Sequence, residues 1–95
     1  MKTKVIFRKW HNGEIIAIFP ELAGDQSIHS CLSYEHIGQH GSCGPHNVIA
    51  QTTPATPSEY HDLATELTAH VGYELKVIKR YNHTKSYDIR KEQYK

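Results

Sequence analysis

The sequence predicts an α+β fold in which an antiparallel sheet carries one helix packed on one face. Two observations support this prediction. Short β-branched and aromatic runs separated by turn residues, which are typical of strands, occupy the N-terminal part. Further along, a segment with helical spacing of its apolar residues begins at a capping sequence. The element order is β-β-β-α-β, and 95 residues are enough for one domain of this kind.

The first two strands are predicted as a hairpin. Residues 4–7 and 14–19 are strand-forming runs, and Asn12-Gly13 lies between them. Asn and Gly both tolerate positive φ, so this pair indicates a tight hairpin turn. Pro20 is expected to end the second strand, because proline cannot donate to the hydrogen-bond ladder.

Both faces of this hairpin are apolar, which one covering helix does not explain. Val5 and Phe7 point one way and Ile6 the other. A sheet covered on one side should show a polar opposite face. The second cover could be the long middle loop, the C-terminal tail or another copy of the chain, and on this ground we expect a homodimer.

A third strand is expected over residues 31–37, since Leu32, Tyr34 and His36 alternate there with the intervening residues. Three glycines and a proline interrupt regular structure from residue 38 to residue 46. Residues 47–51 are compatible with a short strand or a helical turn.

The helix is predicted over about 57–71. Thr56 is an N-cap residue, Pro57 suits the first helical position, and Glu59 completes a capping box. Gly72 fits a left-handed C-terminal cap, and residues 73–80 return as a strand. We therefore expect a single domain over residues 1–80. Residues 81–95 form a polar tail, either disordered or a short helix docked through Tyr87 and Tyr94.

Composition favours a cytoplasmic protein without a membrane segment. No apolar run reaches membrane-spanning length, and the N-terminus lacks the apolar stretch of a signal peptide. In that compartment the two cysteines are expected to be free thiols or metal ligands.

The near-neutral net charge of +1 conceals basic termini. Residues 1–9 carry four basic residues and no acid, and residues 79–95 carry six basic residues against two acids. If the first and last strands lie side by side, their ends form a basic patch. This patch could bind nucleic acid, as an accessory protein would, or it could simply keep edge strands soluble.

Residues 31–46 are the densest chemical segment, with both cysteines and three of the eight histidines. Thiolate and imidazole are ligands that suit zinc, although the spacing matches no standard zinc module. The candidate metal ligands are Cys31, His36, His40, Cys43 and His46.

The same segment also contains residue types that occur in catalytic sites. Cys43 could act as a nucleophile with His40 or His46 as base, and Glu35 with His36 or His40 could serve in acid–base chemistry. A glycine-rich loop positions such groups poorly, and no oxyanion-hole motif is recognisable. We therefore expect no enzymatic activity and no cofactor, with zinc as the alternative.

Non-covalent recognition suits the segment better. Stacking by an aromatic ring, hydrogen bonding by histidines and an amide, and charge from two arginines could together hold an anionic ligand. The predicted ligand-binding residues are Tyr34, His36, Gln39, His40, Arg8 and Arg80.

Four stretches of the chain resemble a small uncharacterised family found in gut bacteria and in their phages and mobile elements: WHNGEIIAIFPE, CLSYEHIGQHG, PATPSEY and GYELKVIKR. The resemblance covers most of residues 2–80 and implies no catalytic residue or cofactor. It implies a context in which small proteins act by binding, for example by blocking a host-defence complex or sequestering a nucleotide signal.

Together these observations predict a small non-enzymatic binding or inhibitory protein of phage or mobile-element type. It would recognise a host protein or a nucleotide-like ligand through residues 34–46. The alternatives are a zinc-stabilised module and a nucleic-acid-binding accessory protein.

Overall fold

The computed structural model describes residues 2–24, 30–35 and 39–93. It confirms the α+β class. The strands are β1 (Thr3–Lys9), β2 (Ile15–Ala23), β3 (Cys31–Glu35), β4 (Gln39–Cys43), β5 (Thr53–Pro54) and β6 (Leu75–Val77). The helices are α1 (Pro45–Gln51), α2 (Pro57–Glu66) and α3 (His83–Gln93), and a π-helical turn (Leu67–Val71) extends α2.

β1 and β2 form the predicted antiparallel hairpin, with Ile6 opposite Ile18. The connection is closed by a bond from the Trp10 N–H to the Glu14 carbonyl at 2.8 Å and one from the Gly13 N–H to the Trp10 carbonyl at 3.0 Å. Gly13 has φ of 90°, a conformation that a side chain disfavours. The glycine of the Asn-Gly pair is therefore required by the backbone of the turn.

β2 does not end at Pro20, so that prediction is wrong. The strand continues to Ala23, and its register with β3 shifts between Phe19 and Ala23. A proline is tolerated at such an irregularity because the ladder needs no N–H donor there.

The sheet order is β4-β3-β2-β1, and two short strands share the outer edge of β1. β5 lies antiparallel to β1 opposite Arg8 and Lys9. β6 lies parallel to β1 opposite residues 3–5. The last strand, predicted over residues 73–80, is shorter than expected and spans Leu75–Val77. β5 lies at the C-terminal end of β1, and the chain then returns through α2 to the N-terminal end of β1. β6 starts there and therefore runs parallel to β1.

The first face of the sheet packs against α2. The predicted capping box is present: the Glu59 N–H donates to Thr56 Oγ1 at 3.4 Å, and the Thr56 N–H donates to Glu59 Oε1 at 2.9 Å. Phe7 stacks on Tyr60 with ring centroids 4.2 Å apart. The buried cluster on this face contains Val5, Phe7, Ala17, Phe19, Tyr34, Leu63 and Leu67.

The second face is also covered within the chain. Residues 47–51 were predicted as either a short strand or a helical turn. They lie in α1, and Val48 packs on this face. Ile78 and Tyr81 pack against the same cluster, whose buried members are Ile6, Ile16, Ile18, Cys31 and Val48. The two-sided apolarity of the hairpin therefore does not require a second chain, which removes the argument that predicted a homodimer.

The C-terminal segment contains α3, which packs against β2. Arg90 is fully buried and donates from Nη1 to the Pro20 carbonyl at 2.7 Å. Gln93 bonds the β2 backbone at the Ala23 N–H and the Glu21 carbonyl, at 2.7 and 2.6 Å. Tyr94, one of the two tyrosines expected to dock this segment, lies outside the described residues. In the described part of the chain, no helix is both long and apolar enough to cross a membrane.

Candidate functional site

Arg8, a predicted ligand-binding residue, has a structural position instead. It is 9% exposed, and its guanidinium donates from Nε to Thr52 Oγ1 at 2.9 Å. Nη2 donates to the carbonyls of Thr52 at 2.7 Å and Ile49 at 2.9 Å, at the C-terminal end of α1. Burial lowers the pKa of this guanidinium. Arg8 is occupied by helix capping, so its assignment as a ligand-binding residue is corrected.

Tyr34 is likewise buried, at 2% exposure, inside the first core cluster. Its hydroxyl donates to the Glu66 carboxylate. At this exposure the ring offers almost no surface on which a ligand could stack. The stacking role predicted for Tyr34 is therefore wrong.

Two further predicted residues, Gln39 and His40, lie in a strand at the edge of the described sheet, where the glycines had predicted no regular structure. Gln39 and His40 belong to β4, opposite Glu35 and Tyr34. β4 is the terminal strand on this side of the described sheet. His36 lies outside the described residues.

The two cysteines face each other across β3 and β4. Cys31 and Cys43 are direct partners in the strand register, and their Sγ atoms are 3.8 Å apart. Both are free thiols; Cys31 is buried and Cys43 is half-buried. The hydrogen bond between them, together with burial, raises the pKa of Cys31. The same bond, assisted by one from Ser33, lowers the pKa of Cys43.

Of the five candidate metal ligands, the structure brings these two thiols together. His40 lies on β4 and His46 in the first turn of α1, while His36 falls outside the described residues. Within the described part of the chain, no group of three or more potential metal ligands is assembled.

Arg80, another predicted residue, lies at a cleft. β1 and β6 are neighbours, as the basic-patch hypothesis required, and the chain after β6 passes Lys79 and Arg80 before entering α3. A cleft of about 510 Å³ opens at this place. We call it the basic cleft; its lining residues are Lys4, Glu21, Ile78, Lys79, Arg80, Asn82, Lys85 and Ser86.

The charges of the basic cleft are strongly unbalanced. Four cationic side chains and one carboxylate line it, which leaves three net positive charges. The carboxylate of Glu21 already pairs with Lys4 at 3.1 Å. Lys79, Arg80 and Lys85 are exposed and make no ion pair with any described residue. The side of the cleft formed by these three residues can therefore bind a negatively charged ligand.

The N-terminus of α3 adds to this positive potential. Asn82 caps the helix, since its Oδ1 accepts the Lys85 N–H at 3.0 Å and its carbonyl accepts the Ser86 N–H at 2.9 Å. The first turn of α3 contains no acidic residue. The partial positive charge of the helix end is thus reinforced by Lys85 instead of being neutralised.

Sequence reasoning noticed the basic termini but did not single out Lys4, Lys79 or Lys85 as site residues. Their signal was the clustering of lysine and arginine in the first nine and last seventeen residues. What brings these side chains together is the pairing of β1 with β6 and the start of α3.

Comparison with known proteins adds no relative. The chain matches no family model, no curated protein and no solved structure. The resemblance to a family of gut bacteria and their phages stays a prediction.

Proposed function

We propose that this protein is a small, non-enzymatic binding protein that recognises a phosphate-bearing, nucleotide-like ligand through the basic cleft. One observation supports this most directly. Lys79, Arg80 and Lys85 are exposed, lack acidic partners among the described residues, and meet at the N-terminus of α3. Backbone and side-chain donors at a helix N-terminus are a recurrent arrangement for binding phosphate.

The charge arrangement is unfavourable for the free protein. Lys85 lies in the first turn of α3, where the helix dipole disfavours a cation. Lys79 and Arg80 add like charges to the same cleft. A bound anion would relieve both repulsions. Solubility alone would not require these cations to lie so close together, so the arrangement favours an anion-binding role.

The dimensions of the cleft favour a small ligand. Its volume of about 510 Å³ falls in the range of small-molecule sites. Arg80 can hold a phosphate in a bidentate manner, and the lysines can act as point charges. A free nucleotide and a nucleic-acid strand share this phosphate chemistry, and they differ in size and in the salt dependence of their binding.

In the context that the resemblance implies, such binding would sequester a nucleotide signal of the host. The protein would then be a cytoplasmic inhibitor of a defence pathway, carried by a phage or mobile element. Capture alone would suffice for this role, and no turnover is needed.

Isothermal titration calorimetry tests the proposal with a panel of mono- and dinucleotides, and fluorescence anisotropy tests it with labelled oligonucleotides. We expect measurable binding of a nucleotide that weakens about tenfold or more in Lys79→Gln and Arg80→Gln, because each removes a charge-assisted contact. Lys91→Gln is the matched control, since Lys91 is exposed on α3 but does not line the cleft.

Each outcome of this experiment is decisive. Preference for oligonucleotides, with a steep salt dependence, would replace the nucleotide with nucleic acid as the ligand. If Lys91→Gln weakened nucleotide binding as much as the cleft variants do, the binding would depend on the overall charge of the protein and not on the basic cleft. Absence of binding to both ligand classes would refute the basic cleft as a phosphate site.

A second candidate is recognition of a host protein through β4. This strand ends the described sheet, so its outer backbone edge can accept an added strand from a partner. Because the side chains beside an added strand determine which partner is accepted, we expect His40→Ala to abolish capture of a host protein in pull-down experiments while the melting temperature stays unchanged. Retained capture in His40→Ala would contradict this candidate.

A further inference from the structure

We infer that Cys31 and Cys43 form a dithiol site that is oxidised to an intramolecular disulfide by exchange with a low-molecular-weight disulfide. The inference is independent of the basic cleft. It rests on the relative position of the two thiols and on their unequal exposure.

The backbone already has the geometry of a disulfide. Cys31 and Cys43 are directly opposed in an antiparallel pair of strands. The Cα atoms of such pairs are about 4.5–5.5 Å apart, which lies within the range that a disulfide spans. The Sγ atoms are 3.8 Å apart in the reduced protein. Rotation of the side chains can therefore bring the sulfurs to bonding distance without a change of strand register.

Exposure distinguishes the roles of the two thiols. Cys31 is fully buried, at 0% exposure, whereas Cys43 is half-buried on the terminal strand β4. A reagent in solvent therefore meets Cys43 first. The Cys31 thiol, assisted by Ser33 and by the positive charge of Arg90, lowers the pKa of Cys43, although burial and the charge of Glu35 oppose this shift. The net effect favours a thiolate at Cys43, the more exposed of the two cysteines.

The exchange proceeds in two balanced steps. The Cys43 thiol gives its proton to solvent, and its thiolate attacks one sulfur of the small disulfide. The S–S bond breaks, and one small thiolate leaves and takes up a proton. Cys31 then loses its proton and attacks Cys43 Sγ, which breaks the mixed disulfide and releases the second small thiol. The two protein thiols are oxidised, and one small disulfide is reduced to two thiols.

Oxidation would join the terminal strand to the rest of the sheet by a covalent bond. Cys31 and Cys43 are 12 positions apart, so the disulfide closes a short loop. Restricting the unfolded chain in this way should raise the melting temperature by roughly 5–15 °C. The same bond would hold β4 against β3 when the cell is under oxidative stress, the condition in which cytosolic disulfides form transiently.

The experiment uses the full chain, reduced and then incubated with oxidised glutathione. We expect intact mass spectrometry to show the loss of two hydrogens per wild-type chain, and peptide mapping to join Cys31 to Cys43. Cys31→Ala should stop at a mixed disulfide on Cys43. Cys43→Ser should remain unmodified over the same period, and the melting temperature should rise in the oxidised wild type alone.

Several results would overturn the inference. One is a stable glutathione adduct on wild-type Cys43, because it would show that Cys31 cannot resolve the mixed disulfide. Another is modification of Cys43→Ser at the wild-type rate. A third is zinc bound by the freshly purified protein through these thiols, which would make the pair a metal site. The wild-type mapping and melting data decide the question even if a cysteine variant fails to fold.

Discussion

Arg8 and Thr52 are joined by two hydrogen bonds, from Nε to the threonine hydroxyl at 2.9 Å and from Nη2 to its carbonyl at 2.7 Å. The residues are 44 positions apart in sequence, so this pair ties the central hairpin to the end of α1. The Thr52 hydroxyl in turn donates to the Val48 carbonyl at 2.6 Å. A charged side chain expected at a binding surface is thus part of the framework.

This relationship predicts that Arg8→Ala destabilises the fold. The substitution leaves buried carbonyl and hydroxyl groups without their donor, and we expect the free energy of unfolding to fall by about 2–4 kcal/mol. Urea denaturation followed by circular dichroism measures the loss. Arg80→Ala is the control, because an exposed arginine should change stability by less than about 0.5 kcal/mol. Similar stabilities of the two variants would contradict the structural role of Arg8.

Arg90 is expected to hold α3 on the sheet. It is fully buried, and its guanidinium donates to the Pro20 carbonyl and to the Tyr81 hydroxyl. Arg90→Ala should cost about 3 kcal/mol and should remove hydrogen-exchange protection from the amides of α3. Lys91→Ala, at the exposed neighbouring position, should leave both properties nearly unchanged. Protection of α3 that survives Arg90→Ala would show that other contacts dock this helix.

Glu59 predicts a pH dependence of stability at low pH. The Lys9 ammonium at 2.5 Å, followed by the backbone and side chain of Thr56, lowers the pKa of Glu59 to about 2. Because the folded pKa lies below the unfolded value of about 4.3, the stabilising contribution is complete above the unfolded pKa. It is lost as the pH falls toward the folded pKa.

The measurement is thermal unfolding of wild type and Glu59→Gln from pH 7 to pH 2. The difference in melting temperature between them should shrink as the pH falls through this window. Glu74→Gln, at an exposed position, serves as the control and should follow the wild-type profile. A constant difference between wild type and Glu59→Gln across the window would show that the ionised carboxylate contributes nothing.

Lys85 should separate stability from binding. Neutralising a cation in the first turn of α3 relieves its repulsion by the helix dipole and by the other charges of the cleft. Lys85→Gln should therefore raise the melting temperature by roughly 1–5 °C while it weakens nucleotide binding. Lys91→Gln should leave nucleotide binding unchanged and should not raise the melting temperature, because Lys91 lies outside the cleft and in the last turn, where a cation is not repelled by the helix dipole. A Lys85→Gln variant that is destabilised would indicate that Lys85 serves the fold.

Local patterns predicted the first hairpin and the central helix well, since their signals are contained in a few neighbouring residues. Gly13 and Gly72 take up positive φ, and Thr56 and Glu59 make their capping box, as the sequence indicated. The alternation in β3 was also sound, with Tyr34 in one core cluster and Cys31 in the other.

Predictions failed where a residue's role depends on what packs against it from a distant part of the chain. The sequence does not show whether a given arginine or tyrosine is exposed or buried. Arg8 donates hydrogen bonds to the C-terminal end of α1, and the Tyr34 hydroxyl donates to Glu66. Neither partner is near in sequence. For the same reason, the sequence did not predict whether the middle loop, the C-terminal tail or a second chain packs on the second face of the sheet.

The sequence by itself determined the fold class, the hairpin, the capped helix and the excess of positive charge at the two ends of the chain. These properties depend on backbone preferences and apolar periodicity, which act over a few residues. Tertiary structure alone decided that β6 runs beside β1, that Cys31 faces Cys43, and that the terminal charges line one cleft. Such juxtapositions follow from the packing of distant segments around a shared core, and no local interaction specifies them.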